Sequence, residues 1–330
     1  MDELRYGIVG VTGRGGTHAG LAANAAGVEL VAGADVVAEN VRAFEAEYGA
    51  TGYEDHGAML GAEELDAVSV CTPSGTHADI AVDCLEAGVA ALVEKPLDVY
   101  IDRADRMVEA AEEHRVPLAC AFQKRLTPER WTAKRWVEEG RFGDLVLADA
   151  TVKWHRTQEY YRGWSGTRDL DGGCLMNQAI HSVDLLQWLG GGVEAVHART
   201  DTVAHEMECE DVAVVSLAYE SGAYGTIEAT TAVRGGEDRL ELNGTEGSYN
   251  SGTFVRGDEA VEPDLVEPPT GTWTEGLFRD FVAAVREGRD PHVDGEEALR
   301  ALEVVLAAYA SATLDREVRI DELRDLTEYT

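Results

Sequence analysis

The first 122 residues alternate continuous apolar runs with amphipathic stretches. The strand-like runs occupy residues 4–10, 28–35, 65–73, 89–96 and 116–122. Between them, apolar residues recur at helical spacing, with glycines near the ends, over 37–49, 76–88 and 104–114. Apolar strands separated by helices are typical of a parallel sheet covered on both faces. Residues 1–122 are therefore predicted to form a doubly wound α/β domain.

The pattern changes after residue 122. Helical spacing over 127–140 and 174–190 brackets a strand at 145–155. Alternating segments follow at 210–220, 223–233 and 238–244, with Ser221-Gly222 and Asn243-Gly244 as turns. Residues 251–271 are expected to be an exposed loop, and helices are expected near 274–287 and 295–314. Residues 123–330 are thus predicted to form an α+β domain with a large, mostly antiparallel open sheet.

The charge is strongly negative, with 62 acidic and 28 basic residues and a net charge of -34. The acids are spread along the whole chain, which favours a solvated surface suited to concentrated salt and resembles proteins of salt-loving archaea. Such a surface would repel a nucleic acid backbone, so no nucleic acid partner is expected. No apolar run is long enough to span a bilayer, and the N-terminus lacks a signal-peptide layout. We therefore expect no membrane association and a soluble, cytoplasmic protein.

A glycine-rich turn follows the first predicted strand, where a dinucleotide-binding loop belongs. Its candidate cofactor residues are Gly10, Thr12, Gly13, Arg14 and Gly15. Glycines let the backbone approach a pyrophosphate, whose charge is then stabilised by the N-terminus of the next helix. Asp35 ends the second strand, where a carboxylate accepts hydrogen bonds from the ribose hydroxyls and repels a 2'-phosphate. NAD is therefore the expected cofactor of a Rossmann domain, while Arg14 leaves NADP open.

Two polar motifs lie at the ends of further predicted strands, at residues 71–77 and 94–96. Ligands of doubly wound sheets gather at these carboxyl ends, so Lys95 is expected beside the nicotinamide. With the glycine loop and DGGCLMNQAIHSVDLLQWL at 171–189, these motifs resemble the glucose-fructose oxidoreductase / inositol dehydrogenase (Gfo/Idh/MocA) family. The resemblance covers almost the whole chain. It implies that Thr72, Pro73, His77 and Glu94 line the cofactor, and that Pro96 follows a cis peptide bond.

The resemblance also implies catalytic roles. Lys95 steadies the developing alkoxide, and His181 exchanges the hydroxyl proton. Asn177 stands where many members carry aspartate, so it can hold a substrate hydroxyl but cannot share a proton. On one continuous helix, Asn177, His181 and Asp184 would share a face. A zinc site at His181 and Asp184 lacks a third ligand at useful spacing, so no metal is expected.

Substrate contacts are expected from the second domain, whose residues 152–167 are rich in aromatic and hydrogen-bonding groups. The candidates are Arg125, His155, Arg156, Tyr161 and Asn177. Aromatic faces cover the C–H patches of sugars, and Arg, His and Asn bind their hydroxyls.

The predicted function is therefore an NAD(P)-dependent dehydrogenase acting on a secondary hydroxyl of a sugar, sugar acid or cyclitol. An NAD-dependent glycoside hydrolase that oxidises its sugar transiently would use the same lysine and histidine, so it stays open. A non-catalytic sugar or dinucleotide sensor predicts loss of Lys95 or His181, and both are present. The resemblance further implies a homodimer or homotetramer formed through the open sheet.

Overall fold

The chain divides into two compact units in the computed structural model, which describes residues 3–326. The first unit runs through Asp98 and adds Asp102–Ala121 and Thr274–Ala298. The second comprises Val99–Ile101, Phe122–Trp273 and the residues from Leu299 onward.

Strands and helices are numbered in chain order. The strands are β1 Leu4–Val9, β2 Val28–Ala34, β3 Thr51–Tyr53, β4 Ala67–Val70, β5 Ala90–Val93, β6 Leu118–Cys120, β7 Leu145–Lys153, β8 Val193–Asp201, β9 Val212–Tyr219, β10 Tyr224–Thr230, β11 Asp238–Gly244, β12 Gly247–Asn250, β13 Thr253–Arg256, β14 Glu259–Val261 and β15 Val318–Arg319. The α-helices are α1 Arg14–Asn24, α2 Ala38–Tyr48, α3 His56–Ala62, α4 His77–Glu86, α5 Ile101–His114, α6 Pro128–Glu138, α7 Ile180–Gly190, α8 Trp273–Glu287 and α9 Gly295–Leu314.

The first unit is built on a parallel sheet with strand order β3-β2-β1-β4-β5-β6. All residues of β4 and β5 are buried, as expected for strands covered on both faces. The strand order reverses between β1 and β4, which places a ligand-binding crevice at the carboxyl ends of these strands. The predicted doubly wound α/β domain is confirmed.

Helix α8 belongs to the first unit, although the sequence predicted a single boundary at residue 122. Its Phe278 and Phe281 pack against buried Tyr6 of β1, with ring centroids 5.2 and 6.4 Å apart. Burial of each phenylalanine ring contributes about 3 kcal/mol of transfer free energy. The helical pattern of α8 shows an apolar face but does not show which sheet receives it, so sequence alone could not place this helix.

The second unit is built on a mixed sheet with order β14-β13-β12-β11-β7-β10-β9-β8-β15. Only β7 and β10 pair in parallel among the neighbours of this sheet in the described chain, which agrees with the prediction of a mostly antiparallel sheet. In β9, buried residues alternate with more exposed ones, so one face is covered and the other is open. Gly222, at φ 85°, turns β9 into β10 as predicted.

Three local expectations for this unit are wrong. Residues 253–261 contain β13 and β14, although this stretch was expected to be a loop. Apolar and polar residues alternate only weakly in such short edge strands, so the sequence pattern did not reveal them. The β11–β12 turn lies at Thr245-Glu246, since β11 continues through Gly244. The helix expected over 174–190 is interrupted, because Cys174–Gln178 forms a π-helical turn before α7 begins at Ile180. Within residues 3–326, every helix is too short or too polar to cross a bilayer.

Candidate functional site

The turn between β1 and α1 is open enough for a phosphate group. Gly10 and Gly13 have φ values of 81° and 54°, a region that favours glycine. A Cβ at Gly15 would lie 1.7 Å from the Gly10 carbonyl oxygen, whereas one at Gly13 would meet nothing within 4 Å. No side chain caps the N-terminus of α1. Its first N–H groups therefore lack a side-chain acceptor, and the exposed loop leaves room for an anion.

Asp35 directly follows β2 and lies beside this turn. Its Oδ1 accepts hydrogen bonds from Val37 N at 2.9 Å and Asn40 Nδ2 at 3.1 Å, and its Oδ2 accepts one from Val11 N at 3.3 Å. These contacts fix the carboxylate at the sheet edge where a ribose diol would bind. Val36 and Val37, which follow it, offer no cation to a 2'-phosphate. The residues present therefore fit NAD.

Glu94 anchors the turn that carries Lys95. Its Oε1 accepts a 2.6 Å hydrogen bond from Arg14 Nε and lies 3.4 Å from His18 Nε2. Burial opposes the charge of this carboxylate, but its interactions with His18 and with the Arg14 guanidinium outweigh burial and hold its pKa well below the usual range. The Glu94 carboxylate also accepts a hydrogen bond from Lys95 N at 3.3 Å. Arg14 is thereby committed to Glu94, which weakens the case for NADP.

His77 braces the other side of the same turn. Its Nδ1 lies 2.9 Å from the Pro96 carbonyl oxygen and its Nε2 lies 3.0 Å from the Thr72 carbonyl oxygen. Burial lowers the pKa of His77, while its hydrogen bonds to the two carbonyl oxygens act in the opposite direction. The Lys95–Pro96 bond is cis, as the resemblance implied. The backbone of Lys95 is therefore held through Glu94 before it and through Pro96 after it.

Asn177 and His181 lie in different elements of the second unit. Asn177 is half-buried in the π-helical turn, whereas His181 is the second residue of α7 and is buried. The His181 ring packs edge-on against Phe122, with centroids 5.7 Å apart. The prediction that these residues share one face of a regular helix is wrong, because the wider π turn changes the angular spacing between them.

A partly buried hydrogen-bond network holds the Asn177 amide. Its Nδ2 donates to Asp171 Oδ1, and its Oδ1 accepts from Gln178 Nε2 at 2.7 Å. Gln178 Nε2 also lies 3.0 Å from the Tyr160 hydroxyl. Its Oε1 accepts from Arg156 Nη2 at 2.7 Å. A buried carboxylate thus stands beside Asn177, six residues earlier in the chain than the aspartate of many family members.

Asp184 and Arg125 form a buried ion pair. Arg125 Nε lies 2.9 Å from Asp184 Oδ2, and Arg125 Nη2 lies 2.6 Å from Asp184 Oδ1. Both side chains are nearly inaccessible, at 2% and 0% exposure. Arg125 was expected to contact substrate, but in the structure it ties the segment after β6 to α7. The carboxylate that the zinc alternative requires is likewise engaged by this arginine.

His155 and Tyr161 lie in the segment that follows β7. Partial burial lowers the pKa of His155, and the charges of Arg234 and His205 act in the same direction. Tyr161 donates a 2.6 Å hydrogen bond to Thr231 Oγ1, and its ring lies 4.8 Å from that of His205. Burial raises its pKa to about 12, so it acts as a neutral hydroxyl.

The Glu210 carboxylate binds the backbone of the π-helical turn. This residue was not identified from the sequence. Its Oε1 accepts hydrogen bonds from Leu175 N at 2.8 Å and from the Tyr309 hydroxyl at 3.0 Å. Burial raises the pKa of Glu210 to about 7, against the lowering effect of those donors. A Cβ on Gly173 would lie 1.7 Å from Glu210 Oε2, so the carboxylate occupies the space that glycine leaves. The Gly172-Gly173 pair before the turn was the one available signal.

Asp171, Gln178 and Tyr160 were also missed as members of the site. All three lie within stretches already singled out, yet each was passed over for a neighbour with more familiar chemistry. A polar side chain directly beside a candidate site residue is the signal for Gln178 and Tyr160, whereas Asp171 lies six positions from Asn177 and gives no such signal.

Comparison with known proteins shows the family of this chain. The family model described as "Oxidoreductase family, NAD-binding Rossmann fold" matches residues 4–122, and that described as "GFO/IDH/MocA C-terminal domain" matches residues 131–250. The chain is 28% identical to D-apiose dehydrogenase of Paraburkholderia graminis, over 91% of this chain and 84% of that protein. It is 27% identical to myo-inositol 2-dehydrogenase of Thermotoga maritima, over 97% and 99% of the two chains.

Among solved structures, the chain is similar to the WlbA dehydrogenase from Bordetella pertussis in complex with NADH and UDP-GlcNAcA. The TM-score is 0.87 at 33% identity, covering 96% of this chain and 98% of that one. Both halves of the chain thus match the same kind of oxidoreductase. This chain is a member of the Gfo/Idh/MocA family of NAD-binding oxidoreductases.

Proposed function

We propose that this oxidoreductase is an NAD-dependent dehydrogenase acting on a secondary hydroxyl of a sugar, sugar acid or cyclitol. Relatives named for apiose, inositol and UDP-linked sugars support this substrate range. The observation that carries the proposal is the Lys95 turn at the end of β5. Two independent side chains, Glu94 and His77, fix its backbone at the ligand-binding edge of the sheet.

The first unit holds the cofactor in this proposal. The open glycine turn and the uncapped start of α1 bind the pyrophosphate, and Asp35 accepts the ribose hydroxyls. The loop from Thr72 to His77, with Pro73, lines the nicotinamide side together with Glu94. When bound, NAD supplies the nicotinamide that accepts the hydride. NADP is a weaker second cofactor, because Arg14 is held by Glu94.

Lys95, His181 and Asn177 carry the chemistry. The Lys95 ammonium stabilises negative charge on the substrate oxygen as it forms, and the neutral His181 imidazole accepts the hydroxyl proton. Asn177 orients that hydroxyl from a π-helical turn that Asp171 keeps in place. Of the substrate-facing candidates, His155, Arg156 and Tyr161 retain that role, whereas Arg125 positions α7 through Asp184.

The test is nicotinamide absorbance during incubation in concentrated potassium chloride with NAD or NADP and a panel of sugars, cyclitols and sugar acids. Substrate-dependent reduction is expected. Lys95→Met should lower kcat by about 100- to 10,000-fold, since it removes a charged group that acts on the reacting oxygen. Lys134→Met is the matched control, because Lys134 contacts Trp188 O and Glu138 on α6.

Dinucleotide affinity separates catalysis from folding in these variants. Lys95→Met should bind NADH about as well as the wild type, measured by energy transfer from tryptophan. Normal turnover in this variant would overturn the role of Lys95. If no compound of the panel causes nicotinamide reduction and the protein still binds dinucleotide, the NAD-dependent glycoside hydrolase becomes the favoured function. Release of the aglycone from aryl glycosides then tests it.

The open sheet face supports assembly into a homodimer or homotetramer. Val214 and Tyr224 on β9 and β10 are 54% and 65% exposed, and Leu147 on β7 is 43% exposed. Exposed apolar side chains on an open sheet face are typical of contact surfaces between protein chains. Sedimentation in molar salt should detect the oligomer, and Val214→Lys with Tyr224→Lys should yield monomers. A wild-type monomer under those conditions would refute the assembly.

Adaptation to concentrated salt and a cytoplasmic location complete the proposal. The net charge of -34 causes self-repulsion that salt screens, so the fold should require salt for full stability, as in proteins of salt-loving archaea. All five cysteines are free, which suits a reducing compartment. Unfolding curves at rising potassium chloride concentration test the salt requirement.

A further inference from the structure

Arg156 is a guanidinium without a carboxylate partner in a strongly acidic chain. Other arginines of the second unit do pair with acids, such as Arg125 with Asp184 and Arg199 with Asp315. Within residues 3–326, Arg156 forms no ion pair, and its buried Nε has no hydrogen-bond partner. Arg130 and Arg234 also lack an ion pair within the described residues, but Arg156 combines that lack with a buried Nε that has no hydrogen-bond partner.

Two aromatic rings and a neutral amide hold the Arg156 guanidinium without neutralising its charge. Its Cζ lies 5.5 Å from the Trp154 ring centroid and 4.9 Å from that of Tyr160. Gln178 Oε1, a neutral acceptor, receives a 2.7 Å hydrogen bond from Nη2. Aromatic faces reduce the hydration of a guanidinium and fix its plane, and this arrangement pre-organises it for an oxyanion.

Arg156 is connected to the candidate catalytic amide of Asn177 through a single side chain. Gln178, which accepts its hydrogen bond, donates to Asn177 Oδ1 at 2.7 Å. The nearby carboxylate of Asp171 is directed elsewhere, to Asn177 Nδ2 and to Gly166 N. An anion bound at Arg156 would therefore sit beside the site that holds the reacting hydroxyl.

Further cations lie around the same aromatic ring. Lys124 Nζ is 5.7 Å from the Trp154 centroid and also contacts Asp238 at 3.3 Å. The charge of Arg234 reaches His155 and lowers its pKa together with burial. Cationic side chains thus act on both Trp154 and His155, which favours an anionic ligand at Arg156.

We propose that Arg156 binds an oxyanion carried by the substrate, so that the preferred substrate is an anionic sugar and not a neutral sugar or cyclitol. This inference rests on the proposed dehydrogenase function and narrows its substrate class. The anion is a carboxylate on the sugar or a phosphate attached to it. It takes no part in the oxidation, in which the hydroxyl carbon loses a hydride to NAD and the oxygen loses its proton to His181. Arg156 therefore determines specificity through binding.

Matched substrate pairs test the inference. The kcat/KM of wild type, Arg156→Gln and Arg156→Lys is measured with glucuronate against glucose, galacturonate against galactose, and glucose 6-phosphate as the phosphate arm. Arg156→Gln should lower kcat/KM about 10- to 100-fold more for the anionic member of each pair than for the neutral member. Arg156→Lys should retain part of the preference, because it keeps the charge and loses the planar fork. A larger loss of kcat/KM with the uronates identifies the anion as a carboxylate, and a larger loss with glucose 6-phosphate identifies it as a phosphate.

Arg162→Gln is the matched control, since Arg162 is exposed in the same segment and pairs with Glu159. An equal loss for anionic and neutral substrates in Arg156→Gln would overturn the inference and make Arg156 a structural residue. So would a wild-type preference for neutral sugars. If no substrate is oxidised, the dehydrogenase function fails, and calorimetric titration of glucuronate and glucose 6-phosphate into the NADH complex still decides the inference. Binding of either anion that weakens in Arg156→Gln supports it, and no such binding refutes it.

Discussion

Replacing Glu210 by glutamine should remove part of the pH dependence of folding stability. Glu210 is buried beneath the π-helical turn, and burial raises its pKa from 4.5 to about 7. An acid with a raised folded-state pKa stabilises the fold fully below pH 4.5. That stabilisation is lost as pH rises toward 7, because the unfolded chain releases its proton first. The difference between pKa values of 4.5 and about 7 corresponds to about 3 kcal/mol of unfolding free energy.

Urea unfolding at constant potassium chloride concentration, at pH 5 and pH 8, measures this effect. At pH 5 part of the loss has already occurred, so about 2.5 kcal/mol remains between the two pH values. Wild type should therefore lose about 2.5 kcal/mol more than Glu210→Gln over this range. Glutamine keeps the size of the side chain and can still accept from Leu175 N and Tyr309, so the π turn should survive.

Glu220→Gln provides the matched control, because Glu220 is an exposed acid at the end of β9. Its pH profile should parallel that of wild type, since removal of one surface charge changes stability only slightly. Parallel profiles for wild type and Glu210→Gln would refute the reasoning, because they would show that Glu210 has the same pKa in the folded and unfolded chains.

Three further substitutions test the buried contacts. Asp184→Asn should lower the unfolding free energy by about 3 to 5 kcal/mol, because Arg125 would remain buried without its carboxylate; urea unfolding checks this, and a loss below 1 kcal/mol would contradict it. Asp35→Ser should weaken NAD binding about 10-fold and improve NADP binding, as calorimetry can show; an unchanged ratio of the two affinities would exclude Asp35 as the ribose acceptor. Gly173→Ala should displace the Glu210 carboxylate and lower kcat and thermal stability together, whereas Gly61→Ala, where nothing lies within 4 Å of the added carbon and φ is not positive, is a control for the added methyl group.

The fold of the first unit could be predicted because five of its six strands have a local signature; the short edge strand β3 at Thr51–Tyr53 was not predicted. The runs at 65–73 and 89–96 contain β4 and β5, which are buried along their whole length. Lys95 was found for a similar reason, since a lysine at the end of a buried strand is conspicuous in a chain with four lysines. These features need no knowledge of which distant segments meet.

The contacts that organise the candidate site could not be predicted, because they join distant residues. Arg125 and Asp184 are 59 positions apart, and Glu210 is 35 positions from Leu175. In a sequence with 62 acids, a buried carboxylate has the same local appearance as the many exposed ones. Only the packing of the second unit distinguishes Glu210 and Asp184 from their neighbours. The π turn could not be predicted for a related reason, since its amino-acid composition resembles that of the α-helix that follows.

Salt acts differently on the exposed and the buried charges of this protein. Surface acids repel one another across water, and salt screens that repulsion over a distance of roughly 10 Å or less. The contacts of Glu94 with Arg14, and of Asp184 with Arg125, involve buried carboxylates that salt screens far less. Dilution of salt should therefore destabilise each unit as a whole while leaving the local geometry around Lys95 intact in the molecules that stay folded. Loss of activity on desalting should accordingly follow the fraction of unfolded protein, with KM of the remaining folded enzyme nearly constant.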